Sequence, residues 1–143
     1  MYAYIAARLA VGVISLEHVG KEVQKQVVNI PFQQAVLDEK KIKGTIAILD
    51  VQYGNVWTNI PTELFHKLNV KVGDKLHVVI YKGKIKKYEG TMPYAETFGG
   101  VAKGKPLLCL ISLLQVSFAL NMGHFSELNK VNRGREWRVE ASR

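Results

Sequence analysis

Cysteine is almost absent from this chain of 143 residues. Cys109 stands alone, which excludes an intramolecular disulfide and makes a reducing cytoplasm the simplest setting. It sits inside an apolar run, where a thiol is expected to be an inert core group. Long hydrophobic runs are missing too. The most apolar stretch, Leu107 to Leu120, is short for a membrane span and is interrupted by Ser112, Gln115 and Ser117, so it reads as buried strands and no membrane partner is expected. Met1 to Val13 has neither a basic leader nor a continuous apolar block, and no signal peptide is expected there. His18, His66, His77 and His124 are scattered, with no pair at the short spacing of zinc ligands on one element, so no metal site is predicted. No Gly-x-Ser-x-Gly elbow offers a serine nucleophile.

What is present suffices for one compact domain with a hydrophobic core. The hydrophobic share of 48% and charged share of 22% are those of an ordinary globular chain and exclude a disordered one. Twenty Lys and Arg against 12 acidic residues give a net charge of +8. Such a charge would suit an anionic partner, yet a modest Lys excess that keeps a protein soluble is the plainer explanation.

An alanine-rich opening around Tyr4, Ala7, Leu9, Ala10 and Val11 favours helix, with Gly12 placed to end it and Ser15 placed to cap a further turn. The polar stretch Lys21 to Gln26 follows, and a boundary near Val28 divides the chain into residues 1–28 and 29–143. Beyond it the texture is that of strands: Ile42 to Val51, Val56 to Ile60, Lys75 to Tyr81, Ile85 to Thr91, Leu107 to Ile111, Val116 to Leu120 and Trp137 to Ala141. Turns fall at Tyr53-Gly54-Asn55, Gly73-Asp74 and Lys82-Gly83-Lys84, and a short helix begins at Pro61 and Thr62 with Leu64, Phe65 and Leu68 on one face. Many short strands in one small domain predict a mainly β fold, a small antiparallel β-barrel or sandwich behind an N-terminal helix.

Three segments carry candidate chemistry. Gly99 and Gly104 followed by Lys105 suggest a phosphate-binding loop, but Pro106 stands where a Ser or Thr should meet magnesium and offers no amide to a phosphate. The segment Ile60 to Ile80, with a helix, Gly73-Asp74 and a strand, resembles swapped-hairpin DNA-binding regulators. That resemblance leaves the apolar C-terminal region without a role, so nucleic acid is the lesser expectation. Most specific is Asp50-Val-Gln-Tyr-Gly-Asn-Val-Trp-Thr-Asn-Ile-Pro61. Gly54 permits the turn, while Tyr53, Asn55 and Trp57 place a ring, an amide and a second ring on one local surface. That set suits a flat heteroaromatic ligand, stacked on its faces and hydrogen-bonded at its edge. Aromatics filling the core of a hairpin would leave the same pattern, and on the residues alone both readings stay open.

Tyr53-Gly-Asn-Val-Trp-Thr-Asn-Ile60 is similar to a signature of the family of S-adenosylmethionine hydroxide adenosyltransferases and the related fluorinases and chlorinases. Pro106-Leu-Leu-Cys-Leu-Ile-Ser112 and Val116-Ser-Phe-Ala-Leu-Asn-Met122 resemble the paired strands near that family's C-terminus. Tyr2-Ala-Tyr-Ile-Ala-Ala-Arg-Leu-Ala-Val-Gly12 resembles the last helix of its N-terminal domain, so the match spans nearly the whole chain but about half of a family member. The resemblance implies the C-terminal, ligand-binding half of an S-adenosylmethionine-cleaving enzyme, inactive alone, whose attacking water or halide is positioned by the N-terminal domain of a neighbouring subunit in a trimer. No catalytic residue is therefore assigned here, and no cofactor is implied beyond S-adenosylmethionine as substrate. By the same resemblance Asp50 would bind the ligand's amino group and Ser112 its carboxylate. Asn55 would bond the adenine edge, Tyr53 and Trp57 would line the pocket, Phe98 would pack on a ring face, and Met122 would contribute mainly backbone. Ile111 departs from an Asn common before that Ser. Leu113 and Leu120 stand where halogenating members carry arginines, so hydrolysis to adenosine and methionine is the expected branch. A stand-alone nucleoside-binding module is the remaining alternative.

Overall fold

Residues 2–21 and 32–143 are described by the computed structural model. The chain divides into two units, Met1–Pro31 and Phe32–Arg143. The expected boundary at Val28 lies outside the described residues.

In the first unit, helix α1 (Tyr2–Ala10) gives way to a turn at Gly12, whose φ of +71° is a conformation glycine adopts freely. Val13 N–H closes that turn on the Arg8 carbonyl at 3.0 Å. Ser15 precedes a single 3-10 turn (Leu16–His18) but does not cap it. Its hydroxyl instead meets the His18 ring, Oγ to Nδ1 at 2.8 Å. No side chain of α1 is buried.

The second unit is a nearly closed antiparallel barrel. Its strands are β1 (Val36–Asp38), β2 (Lys41–Asp50), β3 (Asn55–Pro61), β4 (Lys75–Lys82), β5 (Ile85–Pro93), β6 (Pro106–Leu110), β7 (Gln115–Leu120) and β8 (Trp137–Ser142). They run in the order β5-β4-β8-β2-β3-β7-β6, with β1 paired to β2. The two outer strands of that order approach each other just beyond β5, where Tyr94 bridges Leu108 in parallel and Ala95 N–H reaches the Leu108 carbonyl at 2.9 Å. Closure removes the unpaired edges that an open sheet would expose.

Side chains that alternate along each strand meet inside: Ile42 and Ile46 from β2, Val56 and Ile60 from β3, Leu76, Val78 and Ile80 from β4, Val116 and Phe118 from β7, Val139 from β8. Two short helices plug the barrel, α2 (Thr62–His66) through Phe65 and α3 (Phe125–Leu128) through Phe125. Phe65 packs edge-on against Tyr94 at 5.1 Å and Phe125 against Tyr88 at 5.0 Å. Gly44 lets β2 pass close to β3, because a Cβ there would stand 2.6 Å from Ile60 Cγ1 and push that side chain aside. The segment resembling a swapped hairpin is consumed by the barrel, since β4 is paired on one side with β5 and on the other with β8. It keeps no free strand to exchange.

A second, smaller core consists of Ala95, Leu107, Cys109 and Ala119, with Val101 against it. Cys109 is buried there, and desolvation pushes its thiol up to about 11 from an ordinary 9.0. The neutral thiol thus favours the fold: its contribution is complete below pH 9 and is lost as pH rises through about 11. Urea unfolding of the wild type and Cys109→Ala between pH 8 and 11 should show a steeper decline for the wild type. Phe118→Ala, which empties the centre of the main core, should lower stability by about 3–5 kcal/mol in the same assay at pH 7.

Candidate functional site

The pairing of β3, β7 and β6 sorts their side chains to two faces. Val56, Phe118 and Leu108 stand opposite one another and point into the barrel, while Trp57, Ser117 and Cys109 stand opposite one another on the outer face. The connection from β5 to β6 crosses that outer face, and Ala95 and Val101 seal it over Leu107, Cys109 and Ala119. Beside this seal lies an open cleft of about 740 Å³, with Trp57 and Cys109 among its lining.

One wall is the turn between β2 and β3. The Asp50 carboxylate organises it: Oδ1 accepts from the backbone N–H of Gln52 (3.2 Å) and Tyr53 (3.4 Å), and Oδ2 accepts from Asn55 Nδ2 (3.2 Å). Gly54 N–H closes the turn on the Asp50 carbonyl at 2.7 Å, with φ at +70°. A Cβ on Gly54 would meet the His124 backbone at 2.6 Å, so two turns lie in direct contact at this position. Asn55 is only 7% exposed, and among the described residues its side-chain carbonyl has no hydrogen-bond partner. With one amide hydrogen also left over, Asn55 offers an adjacent donor and acceptor, the pair that an adenine edge presents in reverse. Tyr53 is 59% exposed and Trp57 half-buried, and neither belongs to a core cluster. The core-filling reading of these aromatics therefore does not hold.

The other walls come from distant parts of the chain. Phe98 opens a short 3-10 turn (Phe98–Gly100), Ser112 sits on the tight turn between β6 and β7, and Met122 follows β7 in a left-handed conformation with φ of +56°. All seven residues singled out from the sequence, Asp50, Tyr53, Asn55, Trp57, Phe98, Ser112 and Met122, border this one cleft. Ile111 and Leu120 line it as well, whereas Leu113 projects from the β6–β7 turn, outside the lining.

Glu96, Thr97, Asn121 and His124 also line the cleft and were not anticipated. Thr97 and Asn121 adjoin Phe98 and Met122, and Glu96 and His124 lie two residues from them, but nothing local marks their side chains as facing the same space. The carboxylates of Asp50 and Glu96 are present, and among the described lining residues there is no Lys or Arg. A ligand here meets two carboxylates, apolar surface, the Thr97 and Ser112 hydroxyls, the His124 ring and the Asn55 amide, the Asn121 amide being bonded to the Val101 carbonyl.

Comparison with known proteins agrees with this architecture. Residues 44–138 match the family model of the SAM hydroxide adenosyltransferase C-terminal domain. A fluorinase of Actinopolyspora mzabensis is 28% identical over 145 residues, an alignment covering 99% of this chain and 47% of that protein. Among solved structures, an uncharacterised conserved protein of Thermotoga maritima superposes with a TM-score of 0.77 at 32% identity, covering all of this chain and 51% of the other. A conserved hypothetical protein of Thermus thermophilus gives 0.57 at 26% identity, covering 95% and 48%. The chain spans about half the length of these relatives. With the barrel, the cleft and a family match over more than half of its residues, the chain belongs to the SAM hydroxide adenosyltransferase C-terminal domain family.

Proposed function

We propose that this chain supplies the adenine- and methionine-binding half of a site at which water cleaves S-adenosylmethionine to adenosine and methionine. The observation that carries the proposal is the convergence of seven residues, from four separate stretches of chain, on one cleft. In the reaction an oxygen of water bonds to the ribose C5′ carbon as the C5′–S bond breaks. Its electron pair goes to sulfur, which leaves as neutral methionine, and the water gives up a proton. A sulfonium is so good a leaving group that alignment of a desolvated nucleophile suffices, and no covalent intermediate is needed.

The residues of this chain bind and orient. Asn55 takes the adenine edge, Tyr53, Trp57 and Phe98 surround the base, and the Met122 turn adds backbone groups. Asp50 takes the ammonium and Ser112 the carboxylate of the methionine end. The absence of Lys and Arg among the described lining residues favours water over a halide as nucleophile, since this wall adds no fixed positive charge that would draw a halide to the site. The residues that position that water belong to an N-terminal domain, contributed by a neighbouring subunit in a trimer. A lone reduced cysteine fits action in the cytoplasm.

Mixing the chain with an intact N-terminal domain of the family should convert S-adenosylmethionine to adenosine, read by chromatography. Binding without turnover would mark a stand-alone nucleoside module, and salt-sensitive affinity for duplex DNA would mark a regulator. Asn55→Ala should weaken S-adenosylmethionine by about 5–25-fold through the loss of one or two net hydrogen bonds. The two carboxylates should also make AMP at least about tenfold weaker than adenosine, an effect that calorimetry in rising salt should shrink.

A further inference from the structure

The glycine-rich stretch that first suggested a phosphate loop has a different part in the structure. It carries Phe98, and its glycines at 99, 100 and 104 leave it little stiffness of its own. Within the described residues its hydrogen bonds are local, Gly100 N–H to the Thr97 carbonyl and Lys105 N–H to the Ala102 carbonyl, with one exception. The exception is Asn121, at the end of β7 and immediately before Met122. Its backbone carbonyl accepts from Gly104 N–H at 2.8 Å, and its N–H donates to the Lys105 carbonyl at 3.0 Å. Its side-chain Nδ2 donates to the Val101 carbonyl at 2.7 Å.

The two backbone bonds hold the base of the loop and do not depend on the Asn121 side chain. Only the amide reaches further, to Val101, three residues from Phe98. We infer that Asn121 is a positioning residue that ties the Phe98 loop to the Met122 turn and so sets the width of the slot both border. This inference rests on the proposed binding of the adenosyl group in the cleft. Asn121 borders the cleft, but its amide donor is engaged by the Val101 carbonyl, and its effect on the ligand runs through the placement of Phe98. Its short amide suits the task because the donor must meet a backbone carbonyl at a set distance. An aspartate of the same size would face that carbonyl with a second acceptor.

The test uses the full chain, with hydrogen exchange and NMR titration by adenosine on the wild type, Asn121→Ala and Asn121→Asp. Asn121→Ala should speed exchange at Gly100 and Val101 while leaving the strand amides of β2, β4 and β8 unchanged. It should weaken adenosine about fivefold, the worth of one net hydrogen bond. Asn121→Asp should weaken it further, and saturating adenosine should restore the lost loop protection. Faster exchange throughout the barrel, unchanged affinity with a loosened loop, or an aspartate no worse than alanine would each overturn the positioning role. A wild type that gives no shifts with adenosine, both alone and with an intact N-terminal domain of the family added, would instead remove the proposed function, and this inference with it.

Discussion

The register of β3 against β7 and of β7 against β6 is the constraint on which the rest of this protein depends. It sets Val56, Phe118 and Leu108 side by side within the barrel, and Trp57, Ser117 and Cys109 side by side outside it. One ladder therefore builds the core with one set of residues and borders the cleft with the alternate set. A slip of one residue would exchange the two sets, sending Trp57 inward and Phe118 into solvent. Burial of Phe118 fixes the register, and the cleft inherits its precision from the core. A binding surface on rigid strands costs little to order when a ligand arrives.

The outer face of β6 and β7 is only partly covered. The β5–β6 connection buries Leu107, Cys109 and Ala119, which explains why these strands read as continuous apolar runs rather than alternating ones. Around the cleft the cover is missing, and Tyr53, Phe98 and Met122 stand 59%, 47% and 77% exposed. Large apolar side chains grouped at the mouth of a cleft mark a surface that gains by being covered. Such a surface supports the proposed reading of the cleft as one half of a site completed by another domain.

Charge is divided in the same way. The chain carries a net +8, yet the described residues lining the cleft include Asp50 and Glu96 and no Lys or Arg. Several of the cations are spent on exposed strand surfaces, where Lys41, Lys43 and Lys86 pair with Glu140, Asp38 and Glu89. Such pairs stabilise little, but they keep positive charge away from the cleft. The Leu120 side chain at the cleft contributes to the same outcome, since an arginine there would offset one of the two carboxylates, Asp50 and Glu96.

Much of the fold was legible because strand formation is a local matter. Alternating β-branched residues and glycine-bearing turns located seven of the eight strands to within two residues. The three-residue β1 escaped notice because it has no pattern of its own and exists only as a partner to β2. The four-residue α3 escaped too, being too short for a helical period and held by the burial of Phe125. Asp50, Tyr53, Asn55 and Trp57 could be read as one site because a tight turn and a two-residue repeat bring near neighbours together. That the same cleft also takes in Glu96, Asn121 and His124, and that Asn121 ties one loop to another, no local rule could say. Those juxtapositions follow from which strands lie side by side, and pairing between residues far apart in the chain is decided only when the whole barrel closes around its core.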